Sequence, residues 1–176
     1  MRERHLADGD LGAAGRDTSR MGPMNRVMTF TATTEGRPQG GIAIRIPKNP
    51  AALWGDRDRY YVTGRIGGYA MRGVIESVDG VPYIRLGPAW CRDPRVGPGA
   101  SLRVSLEPEG PQVDTVAQDL GDAIRAEPKA RQTFDNLATF YRKGFVDWVE
   151  GAKRPETRSN RIAETVAALR AGRRER

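Results

Sequence analysis

Apolar residues recur with period two over the first two thirds of the chain and with period 3.6 over the last third. Period two places alternate side chains on opposite faces of a strand, and period 3.6 makes a stripe along a helix. Strand-like runs fall at 27–33, 42–46, 60–66, 69–77, 81–86 and 102–106, and a last short one is expected at 113–116. Gly67-Gly68 and Asp79-Gly80 are two-residue turns of the kind that need positive φ, so the third to fifth strands should form a meander. Pro47 ends the second strand, and Pro82 belongs at a strand start or edge. About six short strands with Gly-rich turns favour closure into a barrel, because closure removes the exposed edges. The stretch 87–101 is rich in Pro and Gly and reads as a long loop, with Trp90 and Cys91 either exposed or folded over the barrel mouth.

Helical spacing takes over from Ala117. Leu120 and Ile124 mark a short helix, and Pro128 stands where the next can begin, ahead of Ala130, Phe134 and Leu137. Tyr141, Phe145, Trp148 and Ala152 form a stripe with Val149 beside it, leaving Arg142, Lys143, Asp147 and Glu150 off that face. These aromatics fit a core better than a base-stacking platform. After Pro155, Ile162, Val166 and Leu169 line a final helix that Gly172 would end. Such helices are too short to stand alone and must pack on one another or on the barrel. The expected fold is therefore α+β: a small six-stranded β-barrel over 26–116, then a helical domain of three to four helices over 117–172 and a basic tail at 173–176. Residues 1–25 lack apolar periodicity and are expected to be disordered, with Met21 or Met24 as an alternative translation start.

Composition narrows the chemistry. The 176 residues carry a net charge of +7 and are 38% hydrophobic, enough for one modest core. No apolar run approaches the roughly 20 residues of a membrane span, and the N-terminus has no secretory h-region. The single cysteine, Cys91, cannot form an internal disulfide, which favours a reducing, cytoplasmic setting. The only histidine is His5, so the barrel and helices have no imidazole for general-base, nucleophile-activating or zinc chemistry. No catalytic residue, metal site or cofactor is therefore expected, and an enzyme would have to work with carboxylates, Lys, Tyr or Arg alone. Asp56-Arg57-Asp58 lacks the further ligands of a calcium loop and reads as a charged turn. The glycines at 64, 67 and 68 lack the spacing of a phosphate loop and fit a hairpin.

Residues 153–176 hold eight basic and three acidic side chains. Lys153, Arg154, Thr157, Arg158 and Arg161 cluster at the start of the last helix, and with Trp90 at the barrel mouth they are the candidate ligand-binding residues. Two guanidiniums three residues apart suit a carboxylate or phosphate. The competing reading is structural: a solvated helix whose arginines lock it to its neighbour through Glu150, Asp147 or backbone carbonyls. The candidate partners are an anionic small molecule or protein, with weak nucleic-acid binding through the same basic face as the alternative.

One resemblance sharpens this reading. Asp119-Leu120, Ala123-Ile124, Pro128-x-Ala130, Tyr141-Arg142-Lys143, Trp148-Val149 and the string from Ala152 through Lys153-Arg154-Pro155-Glu156-Thr157-Arg158 to Arg161-Ile162 resemble the YdeI/OmpD-associated, bacteriocin-protection family. Ile46-Pro47, Val62-x-Gly64-x-Ile66-x-Gly68 and Gly99-x-x-Leu102-x-Val104-x-Leu106-Glu107 resemble the small β-barrel domain of unknown function that often precedes it. The resemblance implies a bacterial barrel-plus-helices protein, with no established enzymatic activity and a loose link to stress and bacteriocin resistance. The chain departs from the pattern at 90–95, where Trp90-Cys91-Arg92-Asp93-Pro94-Arg95 replaces a basic helical insert, and at Ala117, where a proline is usual. A binding role for that insert would be altered here.

Overall fold

A computed structural model describes residues 26–176; the expectations for residues 1–25, including His5, Met21 and Met24, lie outside the described residues. Six strands, β1 (Met28–Gly36), β2 (Ile42–Arg45), β3 (Tyr60–Ile66), β4 (Tyr69–Val78), β5 (Val81–Leu86) and β6 (Ser101–Pro108), close into an antiparallel barrel in the order β1-β2-β5-β4-β3-β6. The expected meander is β3-β4-β5. Its hairpins turn at Gly67-Gly68 (φ 58° and 89°) and Asp79-Gly80 (φ 50° and 78°), the left-handed pairs that match the twist of two-residue hairpins. Pro82 is the second residue of β5, opposite Ser77 near the hairpin. The inward side chains, among them Met28, Ile42, Ile44, Val62, Ile66, Ile84, Val104 and Leu106, form one apolar core. Gly64 of β3 lies so close to β6 that a Cβ there would strike the Ser105 carbonyl.

Two short helices interrupt the barrel sequence, and each corrects an expectation. Pro50–Trp54 (α1) was not anticipated, although Asn49 caps it by accepting from the Ala51 N–H and Pro50 occupies its first turn. Pro88–Arg92 (α2) lies within the stretch read as a loop, again with Pro in the first turn. The strand expected at 113–116 is instead a turn. The Thr115 hydroxyl accepts from the Gln112 N–H and donates to the Gln112 carbonyl, a local arrangement that competes with strand pairing.

The helical region comprises α3 (Gln118–Ala126), α4 (Pro128–Asn136), α5 (Thr139–Glu150) and α6 (Pro155–Arg170). Leu120, Ile124, Ala130, Phe134, Phe145, Val149 and Leu169 make a second apolar core; Tyr141, Trp148, Ile162 and Val166 pack against it half-buried. Arg142 corrects the stripe reading. Expected on the solvent face of α5, it is only 1% exposed. Its Nη1 donates to the Pro111 carbonyl (2.9 Å) and its Nη2 to the Glu109 carbonyl (2.7 Å). The chain leaving β6 brings carbonyls into the interior with no ladder partner, and a guanidinium fork satisfies them. Burial lowers the Arg142 pKa to about 10, which leaves the group charged at neutral pH. α6 ends at a Schellman cap: Gly172 has φ 73°, its N–H donates to Leu169 O, and the Arg173 N–H donates to Ala168 O. No helix of the described residues is long and apolar enough to cross a membrane.

Candidate functional site

The loop after α5 and the first turns of α6 hold most of the residues singled out from the sequence. Pro155 occupies the first turn of α6, and Arg154 precedes it without a capping side-chain bond. Lys153 and Arg154 are exposed and Thr157 half-buried. Arg158 and Arg161, one turn apart on α6, face different neighbours. Arg158 Nε donates to Asp119 Oδ2 (2.6 Å) and Nη2 to Asp119 Oδ1 (2.8 Å), a two-pronged pair with the first turn of α3. The same Nη2 also reaches Glu150 Oε1 at 3.1 Å, at the end of α5. This pairing holds the Asp119 carboxyl at about 2, well below its usual range, and pushes the Arg158 guanidinium up through the hydrogen bonds of Asp119 and Glu150.

Arg161 pairs with no carboxylate among the described residues. Its Nη1 donates to the Trp148 carbonyl (2.6 Å) in the last turn of α5, where the dipole favours a cation. Its guanidinium also stacks on the Trp148 ring, 5.2 Å from the centroid, and Arg176 approaches the same ring at 5.1 Å. The Schellman cap has turned the tail back so that its last residue reaches α5. Next to this pair lies a groove of about 360 Å³ lined by Phe140, Tyr141, Phe145, Arg174, Glu175 and Arg176, among others. Phe140 is 78% exposed and meets Tyr141 edge to face at 5.5 Å.

The structure thus brings Lys153, Arg154, Thr157, Arg158 and Arg161 together, but with unequal freedom: Arg158 is held by Glu150, as the structural reading anticipated, and by Asp119, which it did not name, while Lys153 and Arg154 have no ion pair among the described residues. Trp90 stands apart from this group. Its indole N–H donates to Ala70 O (2.9 Å), beside the β3–β4 hairpin, and its ring packs against the barrel core. The helical region leaves from the other end of β3, where the Glu109 N–H meets Tyr61 O. The seven residues of β3 separate those ends by about 20 Å. Phe140 and the Arg174–Arg176 tail did not figure among the sequence candidates. Phe140 could have, since an aromatic outside the i, i+4 stripe of α5 must face away from its core. The tail could not, because Gly172 marks the end of α6 in the sequence but nothing there shows that the residues after it return to Trp148. No group of three or more His, Cys, Asp or Glu among the described residues is placed to hold a metal ion.

Comparison with known proteins agrees with this two-part architecture. Residues 115–172 match the family described as bacteriocin-protection, YdeI or OmpD-associated, and residues 30–106 match a domain of unknown function, DUF1905. The two matches fall separately on the barrel and on the helical region, so each part of the chain is similar to a separately described domain. No curated protein matches it.

Proposed function

We propose that this protein is a non-enzymatic binding module whose basic C-terminal face engages an anionic small molecule or protein partner. Lys153, Arg154, Thr157 and Arg161 provide the contacts, and Arg158 is the fixed strut that positions them. The observation that carries the reading is the Trp148 ring with a guanidinium from Arg161 and another from Arg176 against it, beside a groove lined by further arginine and aromatic side chains. Charge that remains after folding is what recognises a partner, and Lys153 and Arg154 keep theirs. The lone Cys91 favours a reducing, cytoplasmic setting for this work.

Thermal-shift titration with phosphorylated and carboxylated metabolites tests the reading. Stabilisation is expected for the intact chain and is lost in Lys153→Gln/Arg154→Gln/Arg161→Gln. A panel that shifts nothing at millimolar concentration defeats the small-molecule form, and a variant that keeps the full shift removes these residues from the site.

A second reading, weak binding of single-stranded nucleic acid, is favoured by the exposure of Phe140 next to Tyr141 and the tail arginines. Anisotropy of a labelled oligonucleotide should then fall steeply with salt, and Phe140→Ser should weaken it without changing stability. No binding at low salt ends this reading.

A further inference from the structure

The basic charge around Trp148 leaves one feature of that face unexplained. Phe140, Gly144 and Trp148 stand at i, i+4 and i+8 along α5 and so share one side of the helix. The guanidiniums of Arg161 and Arg176 cover the Trp148 ring. Phe140, two turns back, is 78% exposed, and it is the one exposed aromatic among the described residues of the helical region. Gly144 lies between the two and lines the groove of about 360 Å³.

Gly144 is the sixth of the twelve residues of α5. Glycine is the least favourable residue in a helix interior after proline, so a fold that keeps one there needs a backbone or steric reason. Gly144 has neither. Its φ is not positive, so its backbone suits any L residue. A Cβ added to it meets no atom within 4 Å, whereas at Gly64 and Gly121 a Cβ would strike the Ser105 and Val113 carbonyl oxygens. The missing side chain thus leaves a notch that no other part of the described chain fills, bounded by the Phe140 ring on one side and by the Arg176 guanidinium, stacked on Trp148, on the other. Arg174 and Arg176 line the same groove, and neither has an ion pair among the described residues. Stacking occupies the face of the Arg176 fork and leaves its N–H edge available.

We propose that this groove binds a free nucleoside monophosphate, with the base over Gly144 and against the Phe140 ring and the phosphate accepting from Arg174 and Arg176. An aromatic face beside an empty notch takes a flat ring at van der Waals distance, which a side chain at 144 would prevent. Guanidinium forks match phosphate oxygens. Glu175, on the same rim, is an acceptor for an exocyclic amino group of the base. The size also fits, since the groove falls at the small end of the about 300–1,000 Å³ span of ligand pockets. A nucleic-acid strand would call for successive stacking platforms, and a single exposed aromatic supplies one. This site deepens the small-molecule form of the proposed function, on which it rests, by adding a ring and its seat.

Calorimetry on the full chain tests it with adenosine 5′-monophosphate, adenosine and ribose 5-phosphate. The monophosphate should bind at least about tenfold tighter than either part, because base stacking and phosphate contacts are both needed. Gly144→Ala is the sharpest variant: it should raise Tm by about 2–4 °C through helix propensity while weakening the monophosphate several-fold. Gly144→Leu should abolish that binding, and Phe140→Ser should weaken it about tenfold with Tm unchanged. The Gly144 amide resonance should move as the monophosphate saturates. Equal binding of ribose 5-phosphate and the monophosphate, both indifferent to Gly144→Leu, would overturn this site and leave the basic-face reading standing. No binding of any phosphate would remove both. A 5′-phosphorylated tetranucleotide that binds more than about tenfold tighter than the monophosphate would make the occupant a strand and overturn the proposal.

Discussion

The barrel and the helical region answer the same structural need in different ways. In the barrel, every strand finds neighbours on both sides, and the ladder satisfies most backbone groups. Its interior can therefore be almost wholly apolar, from Met28 round to Leu106, with the Thr34 hydroxyl paired to the 97–100 segment as the polar exception. The helices are short, nine to sixteen residues, and each leaves unpaired groups at its ends. Arginines tie these pieces together: Arg161 covers a carbonyl in the last turn of α5, Arg142 the loop carbonyls that follow β6, and Arg158 the carboxylates of α3 and α5. A high arginine count in this region thus measures how many junctions need bridging as much as it measures affinity for anions.

The largest effect that sharpens this contrast is steric and lies in the barrel. Gly64→Ala places a Cβ on the Ser105 carbonyl, and neither strand can yield without opening the ladder. It should cost about 3 kcal/mol in denaturant unfolding; a loss under about 1 kcal/mol would mean the barrel flexes where it is drawn tight. Next comes Arg142→Leu. Two buried carbonyls lose their donors at about 1 kcal/mol each, so the expected loss is about 2 kcal/mol. A neutral or stabilised variant would show that leucine packing replaces the guanidinium and that the contrast between the regions is shallow.

Smaller still is the Asp119–Arg158 pair. Asp119 titrates near 2 in the fold against a reference of 3.8. A depressed carboxyl pKa contributes stability that is present above pH 3.8 and disappears as pH falls through about 2. The pair is partly solvent-exposed, so the contribution should be about 1 kcal/mol after screening. Asp119→Asn should therefore destabilise by that amount at neutral pH and match the parent near pH 2. If both proteins show the same acid profile, the pair is an ornament of the surface.

Legibility follows the same division. All six strands and both glycine-marked hairpins could be read, because alternation and turn chemistry are local signals. The four C-terminal helices were readable from their apolar spacing and from Pro128 and Pro155. α1 and α2, at five residues each, are too short to display a period, although Asn49-Pro50 and Gly87-Pro88 mark their starts. Arg142 was misread because sequence assigns charge to the surface, whereas tertiary contacts decide which carbonyls an arginine must meet. For the same reason the basic string 152–162 was recognisable, yet its division into Arg158, bound to acids, and Lys153 and Arg154, left free, became visible only once α3 was seen against α6.

The fold-back at Gly172 has a practical corollary. Arg176 lies against Trp148, so a ligand entering the groove beside that ring would have to compete with a side chain of the protein itself. The indole fluorescence of Trp148 would report any displacement of Arg176.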